Sequence, residues 1–162
     1  MSAPSSSNPP PWDANRAREI IDAHLGLEGP ALPILHALQE AFGCVPREAV
    51  PLVAAALNVS RAEMHGIVGF YHDFREAPSG RRVIKVCRAE SCQARGGRAI
   101  GDRIAELLGL EWYETSADGR VTLEPVYCLG LCASGPSAMV NGIPFARLDK
   151  VGAERLVEEV AR

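Results

Sequence analysis

A chain of 162 residues, 47% hydrophobic and 23% charged, is long enough for one ordinary domain or a small domain with an appendage, and it has the composition of a globular protein. Its net charge of −3 excludes the bulk basic character of a general nucleic-acid binder, so no nucleic acid is expected as a partner. The longest apolar run, residues 50–57, is interrupted by Pro51 and too short for a bilayer, so no direct membrane insertion is expected.

The opening stretch MSAPSSSNPPPWDANRAREI has neither a basic nor an apolar signal region. A cytoplasmic, reducing compartment is therefore expected, where paired cysteines serve metal or redox chemistry more often than stable disulfides. Residues 1–12 are Ser/Pro-rich and too poor in apolar groups to offset ordering entropy, which predicts a disordered tail.

Residues 13–78 carry helical periodicity and predict a small bundle of short helices. Ile20, Ile21 and Leu25 line a first helix; Ile34, Leu35, Leu38 and Phe42 line a second, closed by Gly43. Val50, Val53, Ala54 and Leu57 mark a third, with Pro51 in its first turns, where a missing amide is tolerated. Ser60 and Glu63 form a capping box for a fourth helix through Met64, Ile67 and Val68.

The period changes in residues 79–162, which predict a second domain. RRVIKV (residues 81–86) reads as a strand running into Cys87, and residues 93–108 as a helix despite Gly96, Gly97 and Gly101. Residues 110–115 read as a second strand, residues 116–119 as a turn and residues 121–127 as a third strand running into Cys128. Asn141-Gly142 predicts a type I′ hairpin, and Asp149 a cap for a last helix through Val151, Leu156, Val157 and Val160. The order β-α-β-β-β-α fits a thioredoxin-like α/β sandwich, so the fold class is α+β or α/β: a helical bundle followed by a thioredoxin-like domain. Both cysteine pairs then lie on loops at one end of the sheet.

Those pairs are Cys87/Cys92 and Cys128/Cys132, thirty-five residues apart. Four thiolates are the usual complement of a [2Fe–2S] cluster, and a Cys-x4-Cys loop can wrap a cluster edge. Gly130, Ala133, Ser134 and Gly135 would let backbone amides approach the sulfurs, while Arg88, Arg95 and Arg98 would offset the cluster's negative charge. Zinc also accepts four thiolates, but its sites commonly use shorter knuckles. A thiol–disulfide oxidoreductase uses Cys-x-x-Cys, which neither pair shows. Cys44 stands alone and reads as a buried small hydrophobe, and His24, His36, His65 and His72 are scattered without ligand spacing.

The pattern Cys-x4-Cys, thirty-five residues, CLGLC, then Gly-Pro-Ser-Ala-Met-Val resembles the thioredoxin-like [2Fe–2S] subunits of NADH dehydrogenase-type modules. These include subunits of respiratory NADH:quinone oxidoreductase, NAD-dependent formate dehydrogenases and NAD-reducing hydrogenases. The stretch LPILHALQEAFGCVPREAVPLVAAALNVSRAEMHGIVGFYHDF resembles the family's N-terminal helices, and the likeness spans residues 15–160.

The resemblance implies that Cys87 and Cys92 bind one iron and Cys128 and Cys132 the other, with no catalytic residue in this chain. Respiratory members commonly read CLGAC with a following Ala-Pro, and Ile-Asn-Asp where this chain has Val140-Asn141-Gly142. The compact chain and CLGLC most resemble the gamma subunit of a soluble NAD-dependent formate dehydrogenase. That implies an FMN- and NAD-binding flavoprotein subunit, a molybdenum-containing formate dehydrogenase subunit and further Fe–S clusters on partners. The helical half would then dock on the flavoprotein, with Phe70-Tyr71 as one contact. A zinc-stapled interaction module and a free-standing homodimeric ferredoxin are the readings that compete.

Overall fold

The computed structural model describes residues 10–161. Of the expected tail, residues 1–9 lie outside the described residues, and Trp12 sets its ring 5.2 Å from Phe42. The chain divides into two compact units between Pro78 and Ser79.

The first unit is helical. Helix α1 (Ala14–His24) begins where the Asp13 carboxylate accepts from the amides of Asn15 and Arg16 at 2.8 and 3.3 Å, satisfying donors that have no partner inside the helix. Ala17, Ile20 and Ile21 form its buried face. Leu25, expected on that face, falls one residue past the helix and is 41% exposed, because α1 ends at His24. Helix α2 (Ala31–Phe42) buries Ile34, Leu35, Leu38 and Phe42 and stops at Gly43, whose φ of 75° suits a residue without a Cβ. Helix α3 (Ala49–Ala56) holds Pro51 in its first turn.

Helix α4 (Arg61–Phe70) carries the expected capping box: the Glu63 amide donates to Ser60 Oγ at 3.1 Å and the Ser60 amide to Glu63 Oε2 at 2.8 Å. The core joins these helices through Ile34, Leu35, Leu38, Val45, Val53 and Met64, all fully buried. Each such side chain contributes roughly 1.5–3 kcal/mol by leaving water.

The second unit is built on a four-stranded sheet. Strand β1 (Arg82–Cys87) pairs in parallel with β2 (Val121–Val126) and antiparallel with β3 (Ala138–Val140), which forms a hairpin with β4 (Ile143–Phe145); the order is β2-β1-β3-β4. Asn141 and Gly142 make the turn with φ of 46° and 85°, the left-handed pair that a type I′ turn requires. The Asn141 side chain also ties the turn to β1, accepting from the Val83 amide at 2.8 Å and donating to the Arg81 carbonyl at 3.1 Å. Ile84 and Val86 of β1 point to one face, where they meet Ile104 of helix α6 (Gly97–Leu108) and Ala153, Leu156, Val157 and Val160 of helix α7 (Lys150–Ala161). Asp149 caps α7 by accepting from the Gly152 amide at 2.7 Å.

Two expectations need correcting. Residues 93–108 are not one helix: a short helix α5 (Glu90–Gln93) precedes α6, and Gly96, at φ 85°, turns the chain between them. Residues 110–115 are not a strand. Leu110 is buried and Trp112 packs on the core, but Tyr113 adopts φ 69°, which ends the alternation. The segment instead lies along the outer edge of β2: the Tyr113 amide donates to the Leu123 carbonyl (2.7 Å), Leu123 to Glu114 (3.0 Å) and Ser116 to Val121 (2.8 Å). Among the described residues, no helix is long and apolar enough to cross a membrane.

Candidate metal centre

The four cysteines of the second unit come from two loops at one end of the sheet. Cys87 is the last residue of β1 and is buried; its amide donates to the Ser137 carbonyl at 2.9 Å, and the next amide, Arg88, to the Val126 carbonyl at 2.7 Å. These bonds fix the strand end from which the first loop departs. Cys92 sits on α5, 1% exposed. Cys128 follows β2 with φ 141°, and Gly130, at φ 76°, folds the loop so that its amide donates to Cys128 Sγ at 3.3 Å. Cys132 opens a 3-10 turn, Cys132–Ser134, and its Sγ lies 3.6 Å from Cys128 Sγ. One pair is thus buried and the other exposed.

Two side chains fasten the loops together. Ser91 Oγ donates to the Cys132 carbonyl at 3.3 Å, and Arg95 Nη1 to the Ala133 carbonyl at 2.9 Å. Arg95, expected to offset cluster charge, thus also serves as a strut between the loops. Arg88 lays its guanidinium 4.7 Å from the Trp112 ring centroid, with Nη1 3.7 Å from Asp102 Oδ1. Gly101 leaves the space for this stack, since a Cβ there would lie 3.3 Å from the Trp112 ring. Arg98 is exposed on α6.

Hydrogen bonding and the charge of Cys128 push the Cys132 thiol above its ordinary pKa, with smaller contributions from burial, Cys92 and Cys87. The two exposed sulfurs lie 3.6 Å apart, and thiolates that close need a cationic partner. Among the described residues, no group of three or more His, Cys, Asp or Glu side chains is placed to hold a metal ion. A single zinc needs four ligands around one point. A two-iron cluster needs two thiolates on each iron, and the second loop brings the Cys128 and Cys132 sulfurs to 3.6 Å.

The packing around Cys92 fits such a group. A Cβ on Gly135 would stand 3.0 Å from Cys92 Sγ, and one on Gly97 would stand 2.6 Å from the Cys92 carbonyl oxygen. A side chain at Gly135 would press on the buried thiol, and one at Gly97 on the peptide that carries it. Sequence reasoning missed Ser137, a buried hydroxyl 3.6 Å from Cys92 Sγ. Nothing local marks it, because the contact forms only when β3 pairs with β1.

Cys44 lies in the helical unit, where burial and then Glu48 push its thiol above the ordinary value. His24, His36 and His72 make contacts within that unit, to the Ile20 carbonyl, the Phe74 ring and the Phe70 carbonyl. Phe70 is 74% exposed beside Tyr71, with ring centroids 5.1 Å apart.

Known proteins resemble this chain in sequence and fold. The chain is 31% identical over 128 residues to an NADH-quinone oxidoreductase subunit of Pseudomonas aeruginosa, covering 79% of this chain and 77% of that protein. It is 33% identical over 141 residues to the HndA subunit of the NADP-reducing hydrogenase of Solidesulfovibrio fructosivorans, covering 87% and 82%. Among solved structures it superposes on a chain of an NAD+-reducing [NiFe]-hydrogenase in the H2-reduced state, with a TM-score of 0.64 and 25% identity over 78% of this chain. It spans only 22% of that hydrogenase chain. Residues 17–161 match one family across both units, and the chain belongs to it: the thioredoxin-like [2Fe-2S] ferredoxins.

Proposed function

We propose that Cys87 and Cys92 hold one iron, and Cys128 and Cys132 the other, of a single [2Fe–2S] cluster, and that the chain is an electron-transfer subunit of an NADH dehydrogenase-type module. The observation that supports the reading is the placement of the thiols on two loops at one end of the sheet, with the Cys128 and Cys132 sulfurs 3.6 Å apart. When bound, the cluster takes up and gives back one electron at a time. The protein supplies the rest: buried Cys87 and Cys92 anchor one side away from water, the Gly130 amide donates toward Cys128, and Arg95 and Ser91 hold the second loop against the first.

On this reading the electron partner is an FMN-bearing subunit that reacts with NAD⁺/NADH, and the chain works in the cytoplasm without a substrate-converting site of its own. Residues 13–78 are the docking unit and residues 79–162 the cluster-bearing unit, with residues 1–12 a tail. For the parent complex we propose a soluble NAD-dependent formate dehydrogenase, with a molybdenum-containing subunit and further Fe–S clusters on partners. The support is the likeness of CLGLC and of the compact chain to that gamma subunit. The names of the relatives favour a second reading, the equivalent subunit of an NADH-quinone oxidoreductase or a hydrogenase.

The cluster assignment is tested by reconstituting the purified chain with iron and sulfide. A brown protein with two irons and two sulfides, EPR-silent until reduced, is expected. Cys87→Ala and Cys128→Ser should lose that spectrum, and Cys44→Ala should keep it. A colourless zinc protein, or bleaching by Cys44→Ala, overturns the ligand set. The parent complex is read by isolating the tagged chain with its partners and assaying NAD⁺ reduction by formate and by hydrogen, and quinone reduction by NADH.

A further inference from the structure

The Ser137 hydroxyl is 1% exposed and 3.6 Å from Cys92 Sγ, which is itself 1% exposed. A buried hydroxyl is costly to desolvate without a partner, and Cys92 Sγ is the partner this one has been given. Its place is set by the backbone on both sides. The Ser137 carbonyl accepts from the Cys87 amide at 2.9 Å, and Ala138, the next residue, pairs with Val86 in the sheet. The hydroxyl is thus locked to the end of β1 while its oxygen reaches the second thiol of the same pair. Gly135 borders the same sulfur and leaves no side chain between.

Between a free thiol and a hydroxyl, either group can donate. A metal-bound thiolate has no proton, so the O–H must point at the sulfur. Reduction adds negative charge to cluster and ligands, and a donor aimed at a ligand sulfur stabilises the reduced state more than the oxidised one.

We infer that Ser137 is a positioning residue that raises the reduction potential of the cluster by donating its hydroxyl hydrogen bond to Cys92 Sγ. The inference rests on Cys92 being an iron ligand. The buried site magnifies the effect, because no water replaces the lost donor.

The test uses the full chain reconstituted with iron and sulfide, with potentials measured by EPR-monitored redox titration. Ser137→Ala should hold the cluster and lower its potential, weakening reduction about tenfold, which is ~59 mV for a one-electron couple. Transfer of the wild-type protein to D2O should shift an Fe–S(Cys) stretching band in the resonance Raman spectrum, and Ser137→Ala should lose part of that shift. Ser137→Cys, a weaker donor of similar size, should fall between the two. An unchanged or raised potential in the loaded variants overturns the inference. If Ser137→Ala does not load, Ser137→Cys read at or above the wild-type potential overturns it equally. Cys92→Ala run alongside separates the two claims: an intact visible spectrum there defeats the ligand assignment, while a bleached one with unmoved Ser137 potentials defeats the hydrogen bond alone.

Discussion

Arg95 Nη1 lies 2.9 Å from the carbonyl oxygen of Ala133 and so binds the first cysteine loop to the second. The bond is exposed, and its net worth is about 1 kcal/mol. Arg95→Gln should therefore leave the visible spectrum and fold in place but loosen the loop that carries Cys132. Bleaching of the holoprotein by a strong iron chelator should run roughly fivefold faster than in wild type. Equal bleaching rates would show that the strut is dispensable.

Gly97 is the tighter of the two glycines around Cys92. A methyl group there would stand 2.6 Å from the Cys92 carbonyl oxygen and 2.8 Å from its carbon, both backbone atoms that cannot rotate away. Gly97→Ala should cost roughly 1–3 kcal/mol by forcing α5 and α6 apart. Cluster content and thermal stability should fall together, as measured by iron content and calorimetry. Full loading with an unchanged melting temperature would mean that the loop yields at no cost.

The capping box of α4 stands apart from the metal chemistry. Ser60→Ala removes the side-chain acceptor for the Glu63 amide and should cost about 1 kcal/mol. Denaturant unfolding followed by far-UV circular dichroism should show the loss, while the visible spectrum of the reconstituted protein stays as in wild type. A changed spectrum would tie this helix to the cluster.

Asp118 offers a pH test in the turn before β2. Its carboxylate accepts from Ser116 Oγ and from the Arg120 amide and guanidinium, and these bonds hold its pKa well below the ordinary carboxylate value. A depressed folded pKa means that the unfolded chain takes up its proton first. The stabilisation is thus present above about pH 4 and is lost as pH falls from there through the folded value. Apoprotein melting temperatures should show wild type above Asp118→Asn at neutral pH, with the gap closing below about pH 4. A gap that persists unchanged into acid would rule the carboxylate out as its source.

Much of this architecture can be read from local signals. Ser60 and Glu63 announce their helix because a capping box is complete within four residues. Asn141-Gly142 announces its hairpin because few residue pairs tolerate two positive φ angles. The strand ends before Cys87 and Cys128 are visible as β-rich runs meeting a cysteine. Where periodicity misleads, one residue's backbone is the cause. Gly96 splits a continuous-looking helical stripe, and Tyr113 ends the strand expected over residues 110–115 by turning to positive φ. Contacts made across the sheet, such as Ser137 with Cys92, leave no trace, since forty-four residues of chain and a strand pairing lie between them. Arg95 stands out in the sequence for its charge, whereas its role in the fold lies in the carbonyl it grips.

The segment along the outer edge of β2 has a consequence for self-association. Hydrogen bonds with Tyr113, Glu114 and Ser116, the Glu114 carbonyl accepting, already occupy positions on β2 where an incoming strand would dock. At the opposite edge, β4 places Pro144, which has no N–H to offer, at its centre. Copies of this domain are thereby denied the simplest route to one another, the sharing of a continuous sheet.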